Sequence, residues 1–120
     1  MHFTSSLTSK TLRPLLCILL IFIAGCTDKK TDNNAQVIIH KEAAISYKNQ
    51  GQFRAAIIEA YNVNKYSPDS ADGRILLASI YIQLGNGDAV IRTLQPIEEK
   101  YPSETLMPLA EGFILKRKYQ

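Results

Sequence analysis

Apolar residues recur at three- and four-residue steps from about residue 37 onward, which is the spacing of one face of an α-helix. Glycine, proline and serine interrupt this pattern at regular intervals and divide it into segments. Several segments are apolar over more than one face, as expected of helices packed between two neighbours. The pattern predicts an all-α fold with helices at about 36–49, 53–66, 71–84, 87–100 and 105–118.

The helical region repeats itself at an offset of about 34 residues. Each repeated residue type has a mechanical role. Alanine permits close approach of a neighbouring helix, tyrosine fills the space one turn later, glycine ends the first helix in a left-handed conformation, and proline stops the second. The aligned identities are Ala44 with Ala78, Tyr47 with Tyr81, Gly51 with Gly85, and Pro68 with Pro102. A fixed period of this length predicts a solenoid of antiparallel helix pairs.

Helix ends are predicted from the residues around each interruption. Ser70 and Ser103 each follow a proline-marked stop and precede an apolar-periodic run, so both are predicted N-caps. Asn86 and Gly87 are predicted to form the turn of the second helix pair. Gly87 occupies the position that Phe53 holds in the first pair, which predicts the loss of one aromatic contact.

The segment 47–68, with its Gly-Gln-Phe-Arg-Ala-Ala run, and its echo at 77–102 resemble the tetratricopeptide repeat. That family is built from helix pairs of about 34 residues that stack into a right-handed superhelix. The resemblance implies about two and a half repeats across residues 37–120. Their predicted bounds are 37–70, 71–104 and an incomplete 105–120.

The first 25 residues have the layout of an export signal. A basic stretch without acids precedes an apolar run at residues 15–23, which is shorter than the ~20 residues needed to span a bilayer. Small residues ending at Gly25 then lead into Cys26. This arrangement resembles the lipobox of bacterial lipoproteins, with Ile23 where that pattern prefers leucine. The resemblance implies cleavage between Gly25 and Cys26 and attachment of acyl lipid to the Cys26 thiol.

Two alternatives to lipidation are an ordinary cleaved signal and an uncleaved anchor. If lipid is attached, the protein is held in the cell envelope, and Thr27 in place of aspartate favours the periplasmic face of the outer membrane over the inner membrane. The polar residues that follow predict a flexible tether, so that residues 26–36 are interpreted as the lipidated cysteine and its linker. This covalent lipid is the one non-protein group expected, and no cofactor is predicted.

Charge and site chemistry exclude several function classes. The whole chain has 14 Lys and Arg residues and 11 Asp and Glu residues. Lys10 and Arg13 lie in the signal, so cleavage leaves 14 − 2 = 12 basic residues against 11 acidic ones. This near balance does not predict nucleic-acid binding. Cys17 is also removed, which leaves no partner for an intrachain disulfide. His40 is the single histidine beyond the signal and is interpreted as a packed or rim residue, so neither a metal site nor a small-molecule substrate site is predicted. A hydrolase that uses His40 remains the enzymatic alternative, although no catalytic constellation accompanies it.

The resemblance implies a protein or peptide partner bound in the groove lined by the first helix of each pair. The family's clamp for a terminal carboxylate is not supported, because Ile45 and Ser79 stand where asparagine is needed. The isoleucines of the predicted groove are alternatively part of the core between repeats. The predicted groove residues are Ile38, Lys41, Ile45, Lys48, Asn49, Asp72, Ile75, Ser79, Ile82 and Gln83.

The final predicted helix carries a stripe of apolar residues but is followed by no partner helix. Its apolar residues are Leu106, Leu109, Ala110, Phe113 and Ile114. Solenoid ends are normally capped by a polar helix, so we expect either a truncated array or a covering partner. The order of lipobox, tether and repeats resembles the tetratricopeptide lipoproteins of exosortase (PEP-CTERM) exopolysaccharide systems. The predicted function is a membrane-anchored interaction adaptor, for which the resemblance implies a role in exopolysaccharide or protein export. The alternative is a non-binding structural piece of a longer solenoid.

Overall fold

The computed structural model describes residues 29–119, which form five α-helices and, within that range, no strand. The helices are α1 (Lys29–Asn49), α2 (Phe53–Tyr66), α3 (Asp72–Gln83), α4 (Gly87–Leu94) and α5 (Pro102–Lys118). A short 3₁₀ turn, Gln95–Ile97, extends α4. The predicted all-α fold is confirmed.

Each helix packs mainly on its neighbours in the chain. Helix α1 lies against α2, α2 against α3, α3 against α4, and α4 against α5. In addition, α3 contacts both α1 and α5, so the first helices of successive pairs also touch. Contacts limited to adjacent units are the defining property of a helical-repeat solenoid.

Two apolar clusters make up the core. The first joins α1, α2 and α3, and its buried members are Ala44, Ala56, Ala60, Val63, Leu76, Leu77 and Ile80. The second joins α3, α4 and α5 through Ala78, Val90, Leu94 and Leu109. Ala44 and Ala78, which align at the 34-residue offset, are both fully buried, as expected of positions where helices approach closely.

The turns within the two helix pairs have the same geometry. Gly51 and Gly85 adopt φ values of 72° and 69°, which confirms the predicted left-handed glycines. After the first glycine, the Gln52 N–H donates to the carbonyl of Tyr47 at 2.9 Å. After the second, the Asn86 N–H donates to the carbonyl of Tyr81, also at 2.9 Å. These are Schellman caps, and the repeated tyrosine supplies the carbonyl that each cap satisfies.

Neither predicted serine is the N-cap of its helix. Ala71 is the N-cap of α3 and makes no side-chain capping bond, and Ser70 lies one residue before it. The Ser70 hydroxyl accepts a hydrogen bond from the Asp72 N–H at 3.1 Å. The prediction for Ser103 is wrong. Helix α5 begins earlier, at Pro102, because proline at the first helical position has no N–H to satisfy. Ser103 therefore lies inside the first turn, where its hydroxyl donates to the Glu104 carboxylate at 2.7 Å.

Helix α4 ends at Leu94, well before the predicted end at residue 100. Pro96 has no N–H to donate to the preceding turn, so the regular helix stops and the chain continues as the 3₁₀ turn. Helix α5 contains a second proline, Pro108, but continues past it to Lys118.

The amino-terminal side of α1 also differs from the prediction. Residues 29–36 are helical where a flexible tether is expected. The segment contains no glycine or proline that would end the helix, and residues 32–35 are exposed, so they extend α1 without packing on another element. Cys26 and the predicted signal at 1–25 lie outside the described residues. Within residues 29–119, no helix combines the length and apolar character needed to cross a bilayer.

Candidate functional site: a groove along the first helices

Six of the ten predicted groove residues come together in one open groove of about 380 Å³. The six are Lys41, Ile45, Lys48, Asp72, Ile75 and Ser79. Helix α1 supplies the first three and α3 the others, and the two helices are in contact. The groove is completed by Ser70, Ala71, Leu76, Tyr101 and Glu104.

The isoleucines of the groove have different roles. Ile45 is 40% exposed, so it lies open on the groove surface. Ile75 is half-buried and also packs against the second core cluster. Ile45 is therefore a groove residue, whereas Ile75 belongs both to the groove and to the core between repeats. Together with the buried Leu76 they form an apolar floor.

Polar contacts join α1 to α3 across this floor. The Lys41 ammonium lies 3.2 Å from a carboxylate oxygen of Asp72. The Lys48 Nζ donates to the Ser79 hydroxyl at 3.4 Å, and that hydroxyl donates to the Leu76 carbonyl at 2.7 Å. An ammonium has three donors, so the Lys48 side chain can also meet an acceptor on a bound partner. Lys41, in contrast, already faces a carboxylate.

The other four predicted residues lie elsewhere. Ile38 and Asn49 are exposed on α1 and do not line the groove. Ile82 and Gln83 line a separate hollow with Leu115, where the ends of α3 and α5 meet. Ile82 and Gln83 are separated from the groove because the last turn of α3 faces α5 instead of α1.

Five groove residues lie outside the predicted set, namely Ser70, Ala71, Leu76, Tyr101 and Glu104. Ser70 aligns with Glu104 at the 34-residue offset, so recognising Ser70 as a groove residue would also have led to Glu104. Tyr101 has no such signal, because it aligns with Ser67, which does not line the groove. Its hydroxyl donates to the Asp69 carbonyl, a contact that holds the start of α5 beside the turn between α2 and α3.

His40 lies between α1 and α2. Its Nδ1 is 2.5 Å from a carboxylate oxygen of Glu59, and its ring stacks on Tyr66 with centroids 5.4 Å apart and planes inclined by 7°. These contacts confirm the interpretation of His40 as a packed residue that joins the two helices of the first pair. Within residues 29–119, no group of three His, Cys, Asp or Glu side chains is arranged to hold a metal ion.

A larger cleft of about 600 Å³ opens between α2, α3 and α4 and contains none of the predicted groove residues. Arg74 and Arg92 line it, and Arg74 donates to the Thr93 carbonyl at 3.4 Å. Burial raises the pKa of the Tyr81 phenol, and the neighbouring Tyr61 hydroxyl raises it further against the opposing charge of Arg92. The sequence pattern indicates no ligand for this cleft.

Comparison with protein families matches residues 49–107 to the tetratricopeptide repeat, slightly less than half of the chain. A tetratricopeptide repeat is therefore detected from the end of α1 into α5. Neither the curated proteins nor the solved structures gave a match. Tetratricopeptide repeats suggest a protein-interaction module and are typically non-catalytic. Most of α1, which forms one side of the groove, precedes the matched segment.

Proposed function

We propose that this protein is an adaptor that binds a peptide segment of a partner protein in the groove between α1 and α3. The observation that carries the proposal is the groove itself, an apolar floor with a lysine beside it on the face formed by the first helices of successive repeats. In addition, the polar contacts across the floor hold α1 and α3 together before any partner arrives.

The groove chemistry favours one kind of segment. Ile45 and Ile75 offer an apolar surface for an aliphatic or aromatic side chain. Lys48 offers a charged donor, whereas Asp72 neutralises Lys41. We therefore propose a partner segment with a large apolar side chain close to a carboxylate, which would form a charge-assisted hydrogen bond with Lys48.

We further propose that a lipid on Cys26 anchors the adaptor in the bacterial envelope. The support is the apolar run that ends in Gly25-Cys26, together with the polar stretch that follows. The described part of α1 starts at Lys29, three residues after Cys26, so little chain separates the proposed anchor from the helix. The resemblance to lipoproteins of exopolysaccharide systems supports a role in assembling an export apparatus.

The groove is tested with a library of fluorescent peptides that vary in apolar and acidic content, with the full chain in neutral detergent. Peptides that combine both features should bind best. Lys48→Ala and Ile45→Ser should each weaken that binding about tenfold, because each removes a contact of the size of one hydrogen bond or one apolar anchor. Lys65→Ala and Ile58→Ser, on the exposed face of α2, are the matched controls. Equal losses in the controls, or none in the groove variants, would remove the groove from the proposal.

The anchor is tested separately. Mass spectrometry of the protein from bacterial membranes should find an amino-terminal Cys26 that carries diacylglyceryl and acyl chains. Cys26→Ala should abolish that mass shift and release the protein from the membrane fraction. An unmodified Cys26 would refute the anchor without affecting the peptide-binding proposal.

A further inference from the structure

Helix α5 has two faces of opposite character. Its buried face consists of Thr105, Leu109 and Gly112, which pack against the rest of the solenoid. On the other face four large apolar side chains are exposed. Their exposed fractions are 67% for Leu106, 75% for Met107, 55% for Phe113 and 66% for Ile114. With Ala110 at its centre, this surface is called the α5 stripe. A patch of this kind on one helix indicates an interaction surface.

The α5 stripe is symmetric about Ala110. Leu106 and Met107 lie four and three residues before it, and Phe113 and Ile114 lie three and four residues after it. In an α-helix the rise is about 1.5 Å per residue, so the two pairs lie at equal heights on either side of Ala110. At 100° per residue all five residues also fall within one sector of the helix. A surface with this symmetry is complementary to itself when a second copy is turned end to end.

The charges at the ends of α5 favour the same orientation. The first turn carries the acid Glu104, and the last turn carries Lys116, Arg117 and Lys118. Lys116 pairs with Asp88 at 3.1 Å, which leaves the other two basic residues at the end of the stripe. Antiparallel pairing brings Glu104 of each copy level with the basic end of the other. Parallel pairing would place like charges and like ends of the helix dipole together.

We propose that the α5 stripe is a homodimer interface in which two copies of the chain pair antiparallel around a two-fold axis at Ala110. Leu106 of one copy then faces Phe113 of the second copy, and Met107 faces its Ile114. The small side chain of Ala110 allows the helices to approach closely at the crossing point. A two-fold interface of this type is isologous, so the same surface of both copies is buried and a third copy cannot bind to it.

A single helix stripe is smaller than the roughly 800 Å² per partner of a typical stable interface. We therefore expect an equilibrium of monomer and dimer that depends on concentration. Sedimentation velocity of the full chain in neutral detergent should show a dimer that increases with protein concentration. Met107→Glu, at the most exposed position of the stripe, should abolish it, and Ile58→Glu on α2, where the isoleucine is 60% exposed, should not. Circular dichroism of both variants should retain the helical signal, because neither residue is buried.

Disulfide trapping tests the orientation in a background with Cys17→Ser and Cys26→Ser. In the antiparallel dimer the two copies of residue 106 lie about 12 Å apart along the helix axis, too far for a disulfide. Residues 106 and 113 of opposite copies lie side by side. A mixture of Leu106→Cys and Phe113→Cys chains should therefore form a crosslinked dimer on oxidation, whereas either variant alone should not.

Several outcomes would overturn the proposal. Each variant crosslinking with itself would indicate parallel pairing. A monomer at every concentration, with the stripe protected from labelling at Met107→Cys, would indicate that another segment of the chain covers it. An equal loss of dimer in the Ile58→Glu control would place the interface elsewhere. Peptide binding in the groove between α1 and α3 can succeed or fail independently of all three.

Discussion

The two helix pairs share one repeat period but differ in what packs at the first residue of the second helix. In the first pair, Phe53 begins α2 and packs its half-buried ring against the first core cluster. In the second pair, Gly87 begins α4 and is buried against α5. A Cβ atom at Gly87 would lie 2.3 Å from the Gly112 carbonyl oxygen and 2.5 Å from the Lys116 backbone nitrogen. The same repeat position is thus occupied by a side chain in one pair and by the backbone of the next helix in the other.

The predicted consequence of Gly87 is not observed in the structure. Its alignment with Phe53 predicts the loss of an aromatic contact. The structure places the backbone of α5 in that space, so the missing ring is replaced by close helix packing. Gly112 belongs to the same contact, and it aligns with Ala78 and Ala44 at the 34-residue offset. The small-residue position is therefore present in all three first helices.

The largest effect is expected from making the second pair like the first. Gly87→Phe would drive a ring into the backbone of α5, which cannot move aside without separating the helices. We expect the free energy of unfolding to fall by about 3 kcal/mol, the upper end of the usual range for overpacking. Urea unfolding monitored by circular dichroism measures the loss. Arg92→Phe, at an exposed position of the same helix, is the control, and an equal loss there would mean that helix propensity and not the contact is responsible.

Gly112→Ala should have a smaller effect on the same contact. Its new Cβ would meet the Cγ1 of Val90 at 2.7 Å, and Gly87 is reached only at 3.5 Å. A side chain can shift more readily than a backbone, and alanine gains about 1 kcal/mol in helix propensity over glycine. We expect a net loss of about 1 kcal/mol in the same assay. The double variant Gly112→Ala/Val90→Ala should not show the clash, and a loss larger than that of Val90→Ala alone would contradict this explanation.

A third difference between the pairs lies at the residue before each second helix. The Asn86 side chain accepts a hydrogen bond from the Ala89 N–H at 3.0 Å, whereas Gln52, its equivalent, makes no capping bond. Asn86→Ala should therefore lower the free energy of unfolding by about 1 kcal/mol, and Gln52→Ala by only a few tenths. Thermal unfolding of both variants measures the difference. Equal shifts in melting temperature would show that the cap contributes nothing specific.

The smallest effect concerns the repeated tyrosine of the second pair. Because burial and Tyr61 raise the pKa of Tyr81 in the folded protein, the unfolded chain loses this proton first as the pH rises. The contribution of Tyr81 to stability is thus complete below its ordinary pKa of about 10 and is lost as the pH rises above it. Titration of tyrosinate absorbance in the native protein and in Tyr81→Phe gives the midpoint of Tyr81 by difference. A midpoint at or below 10 would contradict the prediction.

Features set by local chemistry were predictable from the sequence. The helices, the left-handed glycines at 51 and 85, and the alanines at 44 and 78 were all identified, because a period of 3.6 residues and the freedom of glycine depend on nearby residues alone. Local chemistry also explains two errors in hindsight. Pro96 ends α4 and Pro102 begins α5, and the general rules for proline would have placed both ends correctly.

The groove was predictable only in part. Family analogy identified six residues of α1 and α3 that line the groove, among them Lys41 and Asp72, but not the ion pair between these two. It did not separate Ile82 and Gln83, which face α5, or identify Tyr101, which reaches the groove from the position just before α5. Whether a residue of α3 faces α1 or α5 depends on where each helix ends and on how the helices cross, and the repeat alignment contains neither.

The sequence by itself determined the helical repeat, because periodicity, glycine conformation and the proline stops act over a few residues at a time. Tertiary structure alone decided that Gly87 and Gly112 bring α4 and α5 together, that six of the ten predicted residues share one groove, and that the apolar stripe of α5 faces outward. These features depend on contacts between residues distant in the chain, where the space left by one helix is filled by another.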